Sequence, residues 1–187
     1  MQKRVFDFFC ALLLLVFLSP LFLMVAFCVR FSSPGPIIFK QQRFGYKGKL
    51  FTIFKFRSMF SEADTTSMVR ERTDPRITPI GRVLRSTHLD ELPQLVNVLL
   101  GDMSMVGPRP LVVTSGDSAG NFLYPEYFKA RPGITGLVQI YGRTRSHQRG
   151  RRYERLMNRY YVRRQCLLLD CWILTKTPIV MVRRLGV

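Results

Sequence analysis

The chain has 187 residues, and its 29 lysines and arginines outnumber 12 acidic residues to give a formal net charge of +17. This excess indicates an anionic partner: nucleic acid, an anionic membrane face or a phosphorylated substrate. Two histidines are too few to build a histidine-based metal cluster, and four cysteines without a C-x-x-C pair favour neither a zinc site nor a disulfide framework. We expect the cysteines to be small buried hydrophobic residues.

The N-terminal segment contains 22 consecutive uncharged residues, from Phe8 to Val29. A continuous helix of that length, at about 1.5 Å per residue, would just cross a bilayer core. Ser19 and Pro20 interrupt the run, because the proline removes one helix hydrogen bond and bends the axis. Cations flank the run on both sides, so the charge distribution selects no orientation. Two alternatives stay open: a single spanning helix, and a re-entrant helix that leaves by the face it entered.

The next segment predicts a small hairpin. Breakers at residues 32–36 end the N-terminal segment, and strands are expected over 37–39 and 50–54. Lys55 and Arg57 follow the second strand and would point to one face. They form either a charged edge that prevents aggregation or a clamp for phosphate. Residues 61–72 predict a polar helix, and 73–79 predict a loop.

Two adjacent carboxylates, Asp90 and Glu91, stand at the start of a predicted helix. Apolar residues recur at helical spacing from Leu89 to Leu100 and define one face. Pro93 is tolerated only in a first helical turn, so the helix is expected to begin near residue 89 or 90. An acidic pair in this place is also typical of an ordinary helix start, since the helix dipole favours negative charge there.

Cations accompany this pair on separate segments. Arg85 lies just upstream, and Arg109 stands between two prolines, where a rigid backbone reduces the entropy lost on binding an anion. A glycine-punctuated segment runs from Arg131 to Arg143, and glycine turns with exposed N–H groups can cradle anions. Carboxylates, converging cations and an apolar N-terminus together indicate phosphoryl-group chemistry at a membrane surface.

The C-terminal region is rich in arginine and aromatic residues from Arg149 onward, after a short helix expected over 124–130. Basic and aromatic residues at helical spacing are typical of interfacial helices on anionic lipid. Helices that pack on the core with an arginine-rich solvent face fit the pattern equally well.

Four ordered motifs resemble the bacterial sugar transferase family, the small monotopic polyprenyl-phosphate phosphoglycosyl transferases. They are Lys55–Met59, Leu89–Leu95, Gly101–Pro110 and Arg131–Gly136. The resemblance implies an α+β, mostly helical fold: a re-entrant membrane helix over 1–31 broken at Ser19 and Pro20, a small β-hairpin, and a catalytic domain over 32–187. Amphipathic interfacial helices would surround an active site on the cytoplasmic face of the bacterial inner membrane.

The resemblance also implies an activity. Family members transfer a sugar 1-phosphate from a UDP-sugar to undecaprenyl phosphate and release UMP, the first membrane step of glycoconjugate synthesis. Asp90 would be the nucleophile that forms an aspartyl-phosphosugar intermediate, and Glu91 would hold Mg²⁺ with Asp90 or assist the lipid phosphate. The phosphates would be bound by cations in and near these motifs, which are Lys55, Arg57, Arg85, Arg109 and Arg143.

The expected partners are the UDP-sugar, undecaprenyl phosphate and the lipid bilayer, without nucleic acid, and a homo-oligomer is left as an open alternative. The chain departs from the family pattern in its arginine-rich run at 146–152 and in Asn158, where an acid is expected. An alternative of another class is a membrane-anchored basic binding protein for anionic lipid or nucleic acid, without catalysis. Neither the sugar nor the glycan pathway follows from the sequence.

Overall fold

The computed structural model describes residues 2–60, 74–113, 125–141 and 147–185. The chain is mostly helical with small sheets, as predicted. Its helices are α1 (Gln2–Phe17), α2 (Ser19–Ser32), α3 (Pro79–Thr87), α4 (Gln94–Leu100), α5 (Leu137–Tyr141), α6 (His147–Arg164) and α7 (Leu167–Leu185). Short 3₁₀ segments cover Tyr46–Gly48, Leu89–Glu91 and Pro125–Lys129. The strands are β1 (Ile38–Phe44), β2 (Leu50–Phe56), β3 (Ser104–Val106), β4 (Leu111–Val112) and β5 (Gly133–Thr135). The helix predicted over 61–72 lies outside the described residues.

The predicted hairpin is confirmed, with longer strands than expected. β1 and β2 pair antiparallel, and β4 adds to the free side of β1. The polar residues at 41–43 continue β1 because their backbone groups pair with β2, so the turn is confined to residues 45–49. Asn97 of α4 completes the other edge of β2: its side-chain amide accepts from the Phe54 N–H at 3.0 Å and donates to the Thr52 carbonyl at 2.7 Å. The hairpin is thereby tied to the helix that follows the acidic pair.

β3 and β5 form a separate parallel pair in which glycines allow close backbone approach. The Gly107 N–H donates to the Thr135 carbonyl and the Gly133 N–H donates to the Pro108 carbonyl, each at 2.9 Å. A Cβ at Gly133 would lie 2.0 Å from the Gly107 nitrogen. The expectation that the glycines between Arg131 and Arg143 cradle anions is therefore wrong for Gly133, because its N–H is already bound.

The predicted break at Ser19 and Pro20 is confirmed. α1 and α2 meet at a bend of 65°. Pro20 has no N–H for the Val16 carbonyl, and the Ser19 hydroxyl donates to that same carbonyl at 2.8 Å. Within the described part of the chain, no single helix is long and apolar enough to cross a bilayer, and α1 and α2 reach that length and composition only as a bent pair. Large apolar side chains cover the outer face of both helices, with Leu13 at 69% exposure.

The inner faces of α1 and α2 belong to the core of the molecule. Ala11 packs in one hydrophobic cluster with residues of α4, β3, α6 and α7, and Val25 and Val29 pack in a second with residues of β2 and α3. Arg4, in the first turn of α1, donates to the carbonyls of Val98 and Leu99 at the end of α4. The helices α1 and α2 thus pack against the rest of the chain through their inner faces. Their outer faces carry the exposed apolar surface.

α7 faces two environments. Its inner side buries Asp170 and Ile173, and its outer side exposes Leu168 at 84% together with Trp172. Among the side chains of α7 that the structure describes, up to Met181, this outer side is largely apolar. Cys166 and Cys171 are exposed here and Cys10 and Cys28 are half-buried, so the expectation of four buried cysteines is wrong. Packing of α7 is set by Asp170 and Ile173, which turns Cys171 outward.

Candidate active site

The acidic pair lies in a 3₁₀ turn between α3 and α4, not in the first turn of α4 as predicted. His88, with φ of 60°, ends α3. Pro93 cannot donate to the Leu89 carbonyl, which accepts instead from the Leu92 N–H at 3.3 Å, and the α-helix begins only at Gln94. The predicted apolar face also needs correction.

α4 is rotated about its axis relative to the orientation that the predicted apolar face requires. Leu100 is 66% exposed, whereas Asn97 and Val98 are fully buried. The amide of Asn97 is required at the β2 edge, and this requirement sets the side of α4 that faces the core.

Asp90 is a buried carboxyl group with an elevated pKa. Its side chain is 8% exposed. Burial and, second, the charge of Glu91 raise the pKa of Asp90 from 3.8 to about 6, while the charges of Lys55 and Arg85 oppose the rise. Asp90 is therefore mostly ionised at neutral pH and becomes protonated in mild acid.

Glu91 has the opposite shift. Burial alone would raise its pKa, but the charge and hydrogen bond of Lys55, with the charges of Arg109 and His88, bring the pKa of Glu91 below its usual value. The Lys55 ammonium donates to the Glu91 carboxylate at 2.8 Å. The two neighbours are thus separated in pKa, which is a common property of carboxylate pairs with different catalytic roles.

Glu91 and Lys55 line a pocket of about 120 Å³, whereas Asp90, the sequence neighbour of Glu91, is not one of the lining residues. Two arginines from other elements join them there: Arg109, which was predicted, and Arg43 of β1, which was not. The remaining wall is largely apolar, with a few neutral polar groups from β5, α5 and α7 and one acid, Glu154 of α6. Three cations, Lys55, Arg43 and Arg109, therefore share one pocket with a largely apolar wall.

Arg43 is held against another cation. Burial and then the charge of Arg109 lower the pKa of Arg43 from 12.5 to about 10, with Glu91 acting in the opposite direction. Its Nη2 donates to the Gln41 side chain at 2.6 Å, and its buried Nε has no hydrogen-bond partner in the described structure. Two guanidinium groups near one another, the partly buried Arg43 and the exposed Arg109, repel each other, and a bound phosphate would relieve this repulsion.

Arg43 could have been found from the hairpin register. Residues directly opposite one another in an antiparallel pair share a face, so Arg43 opposite Phe51 lies on the face of Ile53 and Lys55. The sequence analysis missed Arg43 because it predicted that β1 ends at residue 39, before Arg43.

Of the other predicted cations, the structure brings Arg85 near Asp90 but does not bring Arg57 to the pocket. Arg85 lies near Asp90, since its charge lowers the pKa of that group, and its Nε donates to the Ser58 hydroxyl at 2.8 Å. Arg57 does not line the pocket: it is buried, and its guanidinium donates to the carbonyls of Val29, Ser33 and Pro34. Arg143 lies outside the described residues.

A metal ion would depend on few protein ligands. The described ranges contain no group of three or more His, Cys, Asp or Glu side chains arranged for a metal. Mg²⁺ is commonly held by one or two carboxylates together with substrate phosphates. Asp90 and Glu91 are hard oxygen donors beside a cationic pocket, so they fit this type of site.

Asn158, the departure from the family pattern, is a packing residue. It is buried in α6, and its side-chain amide donates to the Tyr127 hydroxyl at 2.6 Å. It does not line the pocket. The acid that does so from α6 is Glu154.

Comparison with known proteins gives a family match over residues 1–184, to the model described as bacterial sugar transferase. The exopolysaccharide production protein PSS of Rhizobium leguminosarum bv. phaseoli is 48% identical over 149 residues, which cover 75% of this chain and 74% of the relative. The UDP-glucose:undecaprenyl-phosphate glucose-1-phosphate transferase of Caulobacter vibrioides is 45% identical over 146 residues, covering 76% of this chain and 54% of that protein.

A third relative is the undecaprenyl-phosphate galactose phosphotransferase of Salmonella typhimurium. It is 40% identical over 202 residues, which cover 98% of this chain and 41% of the relative. The chain thus spans about half or less of the two relatives that are named for a sugar.

Proposed function

The chain belongs to the bacterial sugar transferase family, and from this membership we propose that it transfers a sugar 1-phosphate from a UDP-sugar to undecaprenyl phosphate and releases UMP. The observation that carries the proposal is the buried carboxyl group of Asp90 beside a pocket lined by Lys55, Arg43 and Arg109. A nucleophile of this kind needs cations that neutralise an incoming diphosphate, and here they come from three separate elements.

The first step is attack by a carboxylate oxygen of Asp90 on the β-phosphorus of the UDP-sugar. A bond forms between this oxygen and phosphorus, the bond from phosphorus to the bridging oxygen breaks, and UMP leaves with the bridging oxygen and its electron pair. Asp90 must be ionised to attack, and its pKa of about 6 leaves it so at neutral pH.

In the second step an oxygen of undecaprenyl phosphate attacks the same phosphorus. The bond to Asp90 breaks, the carboxylate is regenerated with its electron pair, and the product is undecaprenyl diphosphate sugar. We propose that Glu91, kept ionised with the help of Lys55, attracts a cation that orients the attacking lipid phosphate.

Mg²⁺ is the cofactor that we propose for both steps, with Asp90 and Glu91 as its protein ligands. When bound it would neutralise phosphate charge during transfer. Lys55 and the arginines would supply the rest of the positive charge, and Arg109 and Arg43, which line the pocket, would bind the diphosphate or the departing UMP.

We propose that α1 and α2 form a re-entrant hairpin in the bacterial inner membrane, with the active site on the cytoplasmic face. The 65° bend at Ser19 and Pro20 supports this. So do the contacts at the two ends of the pair, because Arg4 at the start of α1 binds carbonyls of α4 and Arg57 binds carbonyls at the end of α2. A spanning pair would place its ends on opposite faces of the bilayer, where one folded body could not bind both.

UMP release tests the proposal. The purified chain in detergent with Mg²⁺, undecaprenyl phosphate and a panel of UDP-sugars that includes UDP-glucose and UDP-galactose should release UMP with at least one donor. Asp90→Asn should abolish release, and Asp102→Asn, the same substitution at an acid outside the pocket, should not.

The outcome also separates the proposal from a basic binding protein without catalysis. That alternative predicts salt-sensitive binding of anionic lipid or nucleic acid that is unaffected by Asp90→Asn. Full UMP release by the Asp90→Asn variant would remove Asp90 from the role of nucleophile.

A further inference from the structure

A second cavity, of about 210 Å³, lies beside the first turns of α1 and shares no lining residue with the catalytic pocket. Cations from two distant parts of the chain line it: Lys3 and Arg4 of α1, and Lys129 and Arg131 from the segment before β5. Its one acidic residue is Asp7. The catalytic chemistry described above makes no use of this cavity.

Internal contacts neutralise only part of the positive charge. Lys3 pairs with the buried Asp170 at 2.6 Å. The carboxylate of Asp7 already accepts from the Ser104 hydroxyl at 2.8 Å and from the Met105 N–H at 3.1 Å. Within the described part of the chain, Arg4, Lys129 and Arg131 have no acidic partner.

The cations keep hydrogen-bond donors for a ligand. A guanidinium has five N–H donors. Arg4 uses two nitrogens on carbonyls at the end of α4, and Arg131 donates from Nε to the Gly101 carbonyl at 2.8 Å while its guanidinium lies 5.1 Å from the centre of the Tyr46 ring. The Lys129 side chain is exposed, and its ammonium group makes no hydrogen bond to any other described residue. Anchored arginines beside a free ammonium group suit a phosphate, which accepts several charged hydrogen bonds at once.

The position of the cavity indicates the source of that phosphate. Arg4 is followed directly by the exposed apolar surface of α1, which begins at Val5 and continues through Phe9 and Leu13. In a bilayer, cations at the edge of an apolar surface lie at the depth of the lipid headgroups. We propose that this cavity binds the phosphate group of an anionic phospholipid headgroup. The inference goes beyond catalysis and depends only on the membrane placement of α1.

Thermal unfolding of the full chain in neutral detergent tests the site. Phosphatidylglycerol added to the micelles should raise the Tm in a saturable way, since a ligand that binds only the folded state stabilises it. Phosphatidylcholine, whose headgroup carries a compensating cation, should have little effect. Lys129→Gln should need about tenfold more phosphatidylglycerol for the half-maximal shift, as expected for the loss of one charged hydrogen bond.

The control is Lys40→Gln, which removes an equal charge from an exposed lysine of β1 that lines neither cavity. It should leave the titration unchanged, and both variants should have the wild-type Tm without lipid. Equal effects of the two substitutions would show diffuse electrostatic adsorption and overturn the proposal. An equal shift from inorganic phosphate at matched concentration would overturn the lipid assignment. UMP release plays no part in these readouts, so their failure and that of the proposed reaction are distinguishable.

Discussion

The Lys55 ammonium and the Glu91 carboxylate form an ion pair at 2.8 Å that joins β2 to the acidic turn. The pair lies next to the buried carboxyl group of Asp90, and it lowers the pKa of Glu91 while the pKa of Asp90 is raised to about 6. Two adjacent carboxyl groups are thereby made chemically different, because burial and the charge of Glu91 raise the pKa of Asp90 while Lys55 and other cations outweigh burial at Glu91.

The rate of the first step should depend on the ionisation of Asp90. Single-turnover formation of UMP is expected to rise with pH through about pH 6 and then level off, because only the carboxylate can attack phosphorus. At pH 5 the rate should be about tenfold below the plateau. A rapid-quench pH profile measures this, and a rate that is flat between pH 5 and pH 8 would contradict the assignment.

Asp90→Asn should stabilise the fold at neutral pH. The raised pKa means that the folded state binds a proton more tightly than the unfolded state, so the favourable contribution of Asp90 is present below about pH 4 and is lost as pH rises through about 6. Removing the buried charge should raise the free energy of unfolding at pH 8 by about 2 kcal/mol.

Thermal unfolding at pH 8 and at pH 4 measures that difference. The gain from Asp90→Asn should shrink at pH 4, where the wild-type group is protonated. A loss of stability at both values would show that the carboxylate makes favourable contacts which outweigh its burial.

Lys55→Met should lower UMP formation by about 10²–10³-fold, in the range seen when one preorganised electrostatic group is removed. Because the Lys55 charge lowers the pKa of both carboxyl groups, the surviving activity should also shift to higher pH. The shift separates an electrostatic role from a structural one, which would reduce the rate without moving the pH profile. Lys49→Met, at an exposed lysine just before β2, is the matched control.

Arg43→Gln should raise the KM for the UDP-sugar by about tenfold or more, as expected for loss of a charged contact to phosphate. It should also raise the Tm of the free protein, because the repulsion between Arg43 and Arg109 disappears. The opposite signs of the two effects distinguish a binding residue from a packing residue. Gln42→Ala, on the other face of β1, should alter neither quantity.

Labelling of engineered cysteines should place the two ends of the N-terminal pair on one side of the membrane. In a variant lacking the four native cysteines, Gln2→Cys and Lys40→Cys should react with an impermeant reagent from the cytoplasmic side only. Pro20→Ala restores the missing N–H and should favour a straighter helix. Reaction of the two sites from opposite sides would contradict the re-entrant topology.

The sequence by itself determined the features that arise from chemistry local to a few residues. Pro20 lacks an N–H wherever it lies, so the break in the apolar run could be predicted, and the Ser19 hydroxyl acts on the carbonyl that the break leaves free. The ordered motifs likewise identified the family.

Tertiary structure decided what each charged side chain contacts. Lys55 and Arg57 are two residues apart, yet one lines the pocket with Glu91 and the other is buried against carbonyls at the end of α2. Arg43 reaches the pocket only because the hairpin register places it on the face of Lys55. Burial and the charges that shift a pKa come from residues distant in sequence, so the different states of Asp90 and Glu91 arise only when the elements pack.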